Sequence, residues 1–221
     1  MSTPVPVVVL AKTDAFVAVA KSSGDLVIPD RAGKEGPTLF DRTKAQLGED
    51  LLLVHRLDRG TSGVLLFARS KEAQRQLSTA FEEGGVEKEY RALCDGVPPA
   101  AEGRVDAPLA LGRKGRMKIA PHGKPSATRW RVLERFPKHT FVEARPETGR
   151  THQIRVHLAS IGLPLVGDER YNFSGAAPVM PRLALHAFAV EVTLAGTRHR
   201  VEAPLPGDFT TALDSLRRLP S

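Results

Sequence analysis

The sequence predicts an α+β protein in which strands outnumber helices, and three observations lead to this class. Residues 64–68 form an unbroken apolar run, which is typical of a buried strand. Apolar residues then recur at helical spacing between Ser70, a good helix cap, and Gly84, a good helix end. Residues 126–136 and 140–145 predict two antiparallel strands joined by a short turn. Together these segments indicate a strand-rich chain that also carries helices.

Other elements precede and follow these three. Apolar runs at 5–10 and 16–20 predict a hairpin, because a short polar segment separates them. Thr38 can cap a short helix that ends at Gly48. Residues 98–125 contain several Gly and Pro residues, and this pattern predicts an irregular, basic segment.

The second half of the chain adds one long strand, a hairpin and two helices. Residues 86–94 alternate as a strand does, which puts Tyr90 on the less charged face. A helix is expected from a cap at Thr151 to a stop at Gly162. A last hairpin is predicted around Ala195-Gly196, and leucines at 213 and 216 predict a short terminal helix.

Length and composition narrow the class of protein. The 221 residues suffice for one sizeable domain or two small ones, and we expect a single domain over 1–221. The net charge of +7 suggests a polyanionic partner, with nucleic acid the first candidate. The single cysteine, Cys94, excludes an intramolecular disulfide and a cysteine-based zinc cluster. No apolar stretch approaches membrane-spanning length, so we expect a cytoplasmic protein.

The segment His55-Arg56-Leu57-Asp58 carries the most specific chemistry in the sequence. Asp58 lies between two arginines on a loop bounded by Gly60 and Gly63, directly before the buried strand. Loops held by a rigid scaffold often carry catalytic residues. An ordinary surface turn would explain a lone aspartate, whereas the arginines, the glycines and the strand favour chemistry.

This segment resembles the first catalytic motif of RNA pseudouridine synthases of the RluA family. Lys88-x-Tyr90 resembles the second motif of the family, and residues 148–157, Thr-Gly-Arg-Thr-His-Gln-Ile-Arg-Val-His, resemble the third. The third is followed in the family by Gly-x-Pro-x-x-Gly-Asp, which this chain matches up to Asp168. The resemblance extends over residues 21–192. It implies a pseudouridine synthase fold: a long, largely antiparallel or mixed sheet flanked by helices, with a central active-site cleft.

The chain departs from the family pattern at one turn. The family usually has Lys-Pro-x-Gly there, and this chain keeps Lys21 and Gly24 but has Ser22 in place of proline. The departure is expected to loosen the turn without changing the chemistry. Because there is no room for an extra RNA-binding domain of the S4 type before Lys21, the compact form of the family is expected.

The resemblance implies a catalytic role for Asp58 in the isomerisation of uridine to pseudouridine. Asp58 could attack C1′, abstract a sugar proton or add to C6 of the base, and the sequence leaves these routes open. Arg155 is implied as the cation that partners Asp58, with Arg150 as a second candidate. Tyr90 is implied to stack on the target base, whereas without the first motif an ordinary strand tyrosine would be the better explanation.

Two further roles follow from the resemblance. Arg56 is implied to occupy the stack that the target base vacates when it is extruded from the RNA. Leu185 is implied to lie beneath the target base, and a plain core leucine would explain it nearly as well. Neither a cofactor nor a metal is implied, because the reaction has no redox step, and His152 and His157 lack the spacing of a zinc helix.

The expected partner is structured RNA, either ribosomal or transfer RNA, bound by a monomer with no protein partner. Phosphate contacts are expected from five basic side chains of the irregular segment, although a solvated basic loop explains them as well. They are Arg113, Lys114, Arg116, Lys118 and Lys124.

Three other classes of protein were weighed. His-Arg-Leu-Asp resembles part of the kinase catalytic loop, but neither a glycine-rich phosphate loop nor Asp-Phe-Gly occurs. A glycosidase uses two carboxylates, and only one is evident. A non-catalytic RNA-binding protein explains the charge, but a carboxylate in a cationic groove would weaken its phosphate binding. This last class is the main alternative.

Overall fold

The computed structural model describes residues 6–29, 36–175 and 178–219. The chain forms two compact units, which consist of Met1–Val86 with Ala189–Ala203 and of Glu87–Phe188 with Pro204–Ser221. Its helices are α1 (Leu39–Leu47), α2 (Lys71–Glu83), α3 (Gln153–Ser160) and α4 (Gly207–Arg217). Its strands are β1 (Val8–Lys12), β2 (Phe16–Lys21), β3 (Leu52–Leu53), β4 (Ser62–Ala68), β5 (Val86–Asp95), β6 (Glu102–Asp106), β7 (Leu109–Leu111), β8 (Met117–Ile119), β9 (Ala127–Arg135), β10 (His139–Pro146), β11 (Leu185–Leu194) and β12 (Thr197–Glu202).

In the first unit the sheet order is β1-β2-β4-β11, with β3 beside β4 and β12 beside β11. Strand β4 is buried along its whole length, because its two faces enter two different apolar clusters. Leu66 packs with Leu77 of α2 on one face, and Phe67 packs with Leu39 of α1 on the other. The unbroken apolar run thus has a helix on each side, which confirms the predicted buried strand.

In the second unit the order is β11-β5-β10-β9-β6, and β7 and β8 form a separate hairpin. Strand β5 is covered on both faces in the same way as β4. Cys94 packs in a cluster with Ile154 of α3, whereas Leu93 packs with Phe209 of α4. Strand β11 begins in this unit and ends in the first.

The predicted helices and hairpins are largely confirmed. Thr38 and Gly48 cap α1, Ser70 and Gly84 cap α2, and the hairpin of β9 and β10 has the predicted antiparallel pairing. Val5, where the first strand was expected to begin, lies outside the described residues. The α+β class is also confirmed, whereas the single domain over 1–221 stays a prediction.

The prediction of an irregular segment over 98–125 is wrong. This part of the chain contains β6, which pairs with β9, and the hairpin of β7 and β8, whose tip Arg113–Gly115 is a short 3₁₀ turn. Strands of three to five residues are too short to show a recognisable alternation.

Candidate active site

The loop of residues 55–61, which we call the Asp58 loop, leads directly into the buried strand β4 of the first unit. Asp58 is half-buried, and its carbonyl accepts the amide of Thr61 at 3.0 Å, which closes a four-residue turn. Thr61 itself is buried, whereas Arg56 and Arg59 are exposed. The turn therefore fixes the backbone of Asp58 while the flanking arginines reach solvent.

A buried ammonium group holds the Asp58 loop from below. Lys21 is only 2% exposed, and its Nζ donates to the carbonyls of Arg59 at 3.0 Å, Thr61 at 2.8 Å and Ser22 at 3.0 Å. Burying a charged lysine is costly unless acceptors surround it, and three carbonyls meet that requirement. The Asp58 loop is thus shaped around the last residue of β2.

The turn that follows Lys21 adds bonds to the same loop. Ser23 Oγ donates to the carbonyl of Gly60 at 2.8 Å, and the amide of Gly24 donates to the carbonyl of Arg59 at 2.8 Å. The predicted loosening by Ser22 leaves these contacts intact. Because two consecutive loop residues are bonded to this turn, the Lys21–Gly24 segment acts as a brace for the loop.

His55 fixes the other end of the Asp58 loop. Its Nε2 accepts the amide of Leu66 at 3.0 Å, and its ring stacks on Phe81 of α2 with centroids 4.2 Å apart. Leu57 packs against the apolar cluster under α1. The loop is therefore anchored on both sides of Asp58.

In the second unit, Tyr90 and Leu185 meet in one apolar cluster. Leu185, the first residue of β11, is buried there beside Ile154 of α3. Tyr90 on β5 packs against this cluster and remains half-buried. The structure thus brings together two of the residues that the resemblance implied to contact the base.

Arg155 forms a buried, bidentate ion pair with Asp168. Its Nε and Nη2 each lie 2.7 Å from one carboxylate oxygen, and Arg155 is only 8% exposed. The Arg155 guanidinium lies over the Tyr171 ring, with its central carbon 5.0 Å from the ring centroid. The expected position of Arg155 near the helix start is confirmed. However, the side chain is buried, and a two-point contact holds its plane.

The start of α3 differs from the prediction. His152, not Thr151, precedes the first helical residue, and it has a left-handed backbone with φ of 54°. Thr151 is exposed, and no side-chain cap bond is formed by His152. Gln153 holds the preceding turn instead, because its Oε1 accepts Thr148 Oγ1 at 2.7 Å and the amide of Arg150 at 3.0 Å.

Arg150 does not share the ion pair of Arg155. It is exposed, and its Nε donates to the carbonyl of Pro125 at 3.2 Å. Lys88 lies nearby, and burial, together with the positive charge of Arg150, lowers the pKa of its ammonium. The lysine of the second motif is therefore held partly desolvated, with the carbonyl of Thr148 3.3 Å from its Nζ.

The hairpin of β7 and β8, which we call the basic hairpin, presents most of the predicted phosphate-binding side chains. The exposed ones are Arg113, Lys114, Arg116 and Lys118, and Lys124 is exposed just beyond β8. Leu111 and Phe173 are exposed beside them, and the Arg116 guanidinium lies 5.6 Å from the Phe173 ring centre. Exposed basic groups next to aromatic and apolar surface are typical of RNA-binding segments.

The two histidines of the third motif have structural partners. His157 is completely buried and lies 2.9 Å from Thr128 Oγ1 and 3.0 Å from the carbonyl of Ala107. Burial lowers the pKa of its imidazole. Across the described residues, no group of three or more His, Cys, Asp or Glu side chains could hold a metal ion, and no helix is long and apolar enough to cross a membrane.

Three residues with a clear structural part in these sites were assigned no role from the sequence. Lys21 and Asp168 were noted as matches to the family pattern, and Tyr171 follows the third motif. Only the pattern itself could have indicated them, because most of their partners lie 13 to 54 residues away in the chain.

Comparison with known proteins agrees with this arrangement of motifs. Residues 15–160 match the family model described as RNA pseudouridylate synthase. The chain is 37% identical to ribosomal large subunit pseudouridine synthase D of Nitrosomonas europaea over 98% of its length and 67% of the relative. It is also 37% identical to ribosomal large subunit pseudouridine synthase C of Escherichia coli O157:H7, covering 95% of this chain and 70% of that protein.

Solved structures show the same likeness. Human RNA pseudouridylate synthase domain containing 4 superposes with a TM-score of 0.79 at 26% identity, covering 97% of this chain and 95% of its own. Fold and motifs together define an isomerase that acts on uridine in RNA. The chain belongs to the RNA pseudouridine synthases of the RluA family.

Proposed function

We propose that this protein converts one or more uridines of large-subunit ribosomal RNA into pseudouridine. The names of its bacterial relatives support the ribosomal substrate. The observation that carries the proposal is Asp58, in the first family motif, on a loop braced from both sides. A cytoplasmic location is part of the same proposal.

The reaction rearranges the substrate without oxidation or reduction. The bond between C1′ and N1 breaks, C5 then bonds to C1′, the C5 proton leaves, and N1 gains a proton. Asp58 acts either as the nucleophile at C1′ or C6 or as the base for a sugar proton. Each route needs an ionised carboxylate held in a fixed direction, which the Asp58 loop supports.

Arg155 is proposed as the cation that stabilises the Asp58 carboxylate. The third family motif supports this role, as does the ion pair with Asp168, which fixes the guanidinium plane. Arg150 is the weaker candidate, because its side chain is exposed and directed to the carbonyl of Pro125.

Tyr90 and Leu185 are proposed to hold the detached base while it turns. Their shared cluster supports this role, since an aromatic ring above an apolar floor can stack a planar base. Arg56 is proposed to fill the stack that the base leaves, and its exposure on the Asp58 loop supports that role.

RNA affinity is proposed to come mainly from phosphate contacts of the basic hairpin. Its members carry at least four exposed positive charges within six residues of chain. Such contacts position the RNA but read little of its sequence. The choice of uridine then depends on the shape of the RNA and on the residues around the base.

The experiment maps pseudouridines in all RNA from cells with the gene, without it, and with Asp58→Asn in its place. We expect one or more sites in large-subunit ribosomal RNA to be lost without the gene, restored by the wild type and not by the variant. Loss of sites in transfer RNA alone would show that the substrate is transfer RNA and not ribosomal RNA. No lost site, with tight RNA binding retained, would leave a non-catalytic RNA-binding protein.

A further inference from the structure

The side chain of Tyr171 contacts both the start of α3, which carries Arg155, and the basic hairpin. Its ring lies 5.0 Å from the guanidinium centre of Arg155. Its hydroxyl oxygen accepts the amide of Met117, the first residue of β8, at 2.9 Å and lies 2.8 Å from Nδ1 of His152. All four residues belong to the second unit.

The ring completes the fixation of Arg155. Asp168 binds the guanidinium edge at two points, which sets its position within its own plane. An ion pair of this kind still allows tilting about the line between the two groups. The guanidinium lies over the Tyr171 ring, and this contact opposes that tilt. Asp168 also accepts the amide of Tyr171 at 3.2 Å, so the two partners of Arg155 are bonded to each other.

The Tyr171 side chain also contacts the start of α3, through its hydroxyl group and through its ring. His152 has a left-handed backbone, which is uncommon for a residue with a side chain and is maintained only when its surroundings require it. Its ring contacts Tyr171 edge to face, with centroids 5.5 Å apart. Since this edge-to-face contact needs only the ring, we expect Tyr171→Phe to keep His152, and Arg155 three residues later, in place.

Tyr171 contacts the basic hairpin close to its tip, at Met117. Met117 directly follows Arg116, and the Arg116 guanidinium lies over the ring of Phe173. Strand β8 also packs against α3. Burial raises the pKa of Tyr171, so the hydroxyl keeps its proton and can donate to His152 while it accepts from Met117.

We propose that Tyr171 is a positioning residue that couples the basic hairpin to Arg155, its hydroxyl group holding the hairpin and its ring holding the guanidinium. The inference rests on the proposed function, in which the hairpin binds RNA and Arg155 serves the reaction. Binding of RNA at the hairpin is therefore coupled to the position of Arg155 through the Tyr171 side chain.

Two variants separate the two parts of the side chain. Tyr171→Phe keeps the ring, so kcat should change less than twofold while KM for RNA rises about 5- to 10-fold through loss of the hydrogen bond to Met117. Tyr171→Leu removes the ring too, so kcat should also fall about tenfold. A residue that served stability alone would not divide its effects between KM and kcat in this way.

A double variant identifies the residue through which the ring acts. In an Arg155→Ala background, Tyr171→Phe and Tyr171→Leu should have the same kcat, because the ring has no guanidinium to hold. A difference that persists there, or equal kcat values for the two variants with Arg155 present, would overturn the coupling to Arg155. An unchanged KM in Tyr171→Phe would overturn the coupling to the hairpin.

An NMR measurement on the full chain tests the contact between Tyr171 and Arg155 without measuring activity. The Nε–H signal of Arg155 should keep its ring-shifted position in Tyr171→Phe and lose it in Tyr171→Leu. The Nε–H signal of Arg182, which is paired with Asp208 in the same manner, is the internal control and should not move. If the wild type makes no pseudouridine, the proposed function fails, whereas an unmoved Arg155 signal in Tyr171→Leu overturns this inference.

Discussion

The Asp58 loop and the surroundings of Arg155 hold their charged side chains by different means. The loop is bonded through its backbone, whose carbonyls converge on Lys21. Arg155 is held by side chains, an ion pair with Asp168 and the ring of Tyr171. A backbone brace depends on the shape of the loop, whereas a side-chain brace depends on the identity of each partner. We therefore expect substitutions in the backbone brace of the Asp58 loop to lower stability, and substitutions of Arg155 to lower both stability and rate.

The largest effect that distinguishes the two regions is expected at Arg155. Arg155→Ala should lower kcat about 100-fold, the size found when a preorganised electrostatic contact is removed. Arg155→Lys keeps the charge but cannot make the two-point contact, so its effect should be smaller but clear. Arg150→Ala is the matched control and should cost less than either. Steady-state kinetics on an RNA fragment that contains the target uridine measures all three.

The contribution of Arg155 to folding can be separated from its contribution to rate. Arg155→Ala leaves Asp168 buried without its partner, which should cost about 3–5 kcal/mol of unfolding free energy. Adding Asp168→Ala should restore part of that stability but none of the rate. Recovery of turnover in the double variant would mean that Arg155 serves the fold alone, and the two regions would then not differ.

At Lys21 the expected effect is on stability. Lys21→Met keeps the aliphatic stem and removes the bonds to three carbonyls, so the unfolding free energy should fall by about 2–4 kcal/mol. Ser23→Ala removes a single bond to Gly60 and should cost about 1 kcal/mol. Denaturant titration measures both, and equal decreases in the two variants would show that Lys21 is not the main brace.

The basic hairpin should act through salt-dependent affinity. Replacing Arg113, Lys114, Arg116 and Lys118 by Gln should reduce the slope of log affinity against log salt by roughly 0.7 to 1 for each phosphate that the variant no longer binds. The control replaces exposed arginines that are ion-paired with carboxylates, namely Arg104, Arg129, Arg198 and Arg217. Equal changes in slope for the two sets of variants would show that the basic hairpin is not the main RNA-binding surface.

The smallest effect is expected at His157, which anchors α3 and thus the helix that carries Arg155. Since burial lowers its pKa, the folded state takes up a proton less readily than the unfolded state does. The unfolding free energy should therefore fall as pH drops below about 6.5, by at most ~1.4 kcal/mol per pH unit. His157→Gln should flatten this dependence between pH 7 and pH 5, and exposed His122→Gln should not. If the unfolding free energy of the two variants depended on pH with the same slope, His157 would not be the source of the pH dependence.

The two regions also differ in how much of each could be predicted. Strand β4 and helix α2 lie in one continuous segment, so local patterns are sufficient to predict both. The role of Asp58, in the loop just before them, stays a prediction. The environment of Arg155 is assembled from α3, the basic hairpin and residues 168–171, and no local pattern reports such contacts. Thr151 is predicted as a cap because hydroxyl side chains usually cap helices, but tertiary contacts of His152 and Gln153 set this helix start instead.

The central claim is that the chain performs the isomerisation with Asp58, and release of tritium tests it most directly. Pseudouridine formation replaces the C5–H bond by a C5–C1′ bond, so large-subunit ribosomal RNA labelled with tritium at C5 of uridine must release the label into water. We predict that the wild type releases one equivalent per modified site and that Asp58→Asn, folded to the same extent, releases none. Comparable release by Asp58→Asn, or none by the wild type on RNA that it binds, would contradict the account.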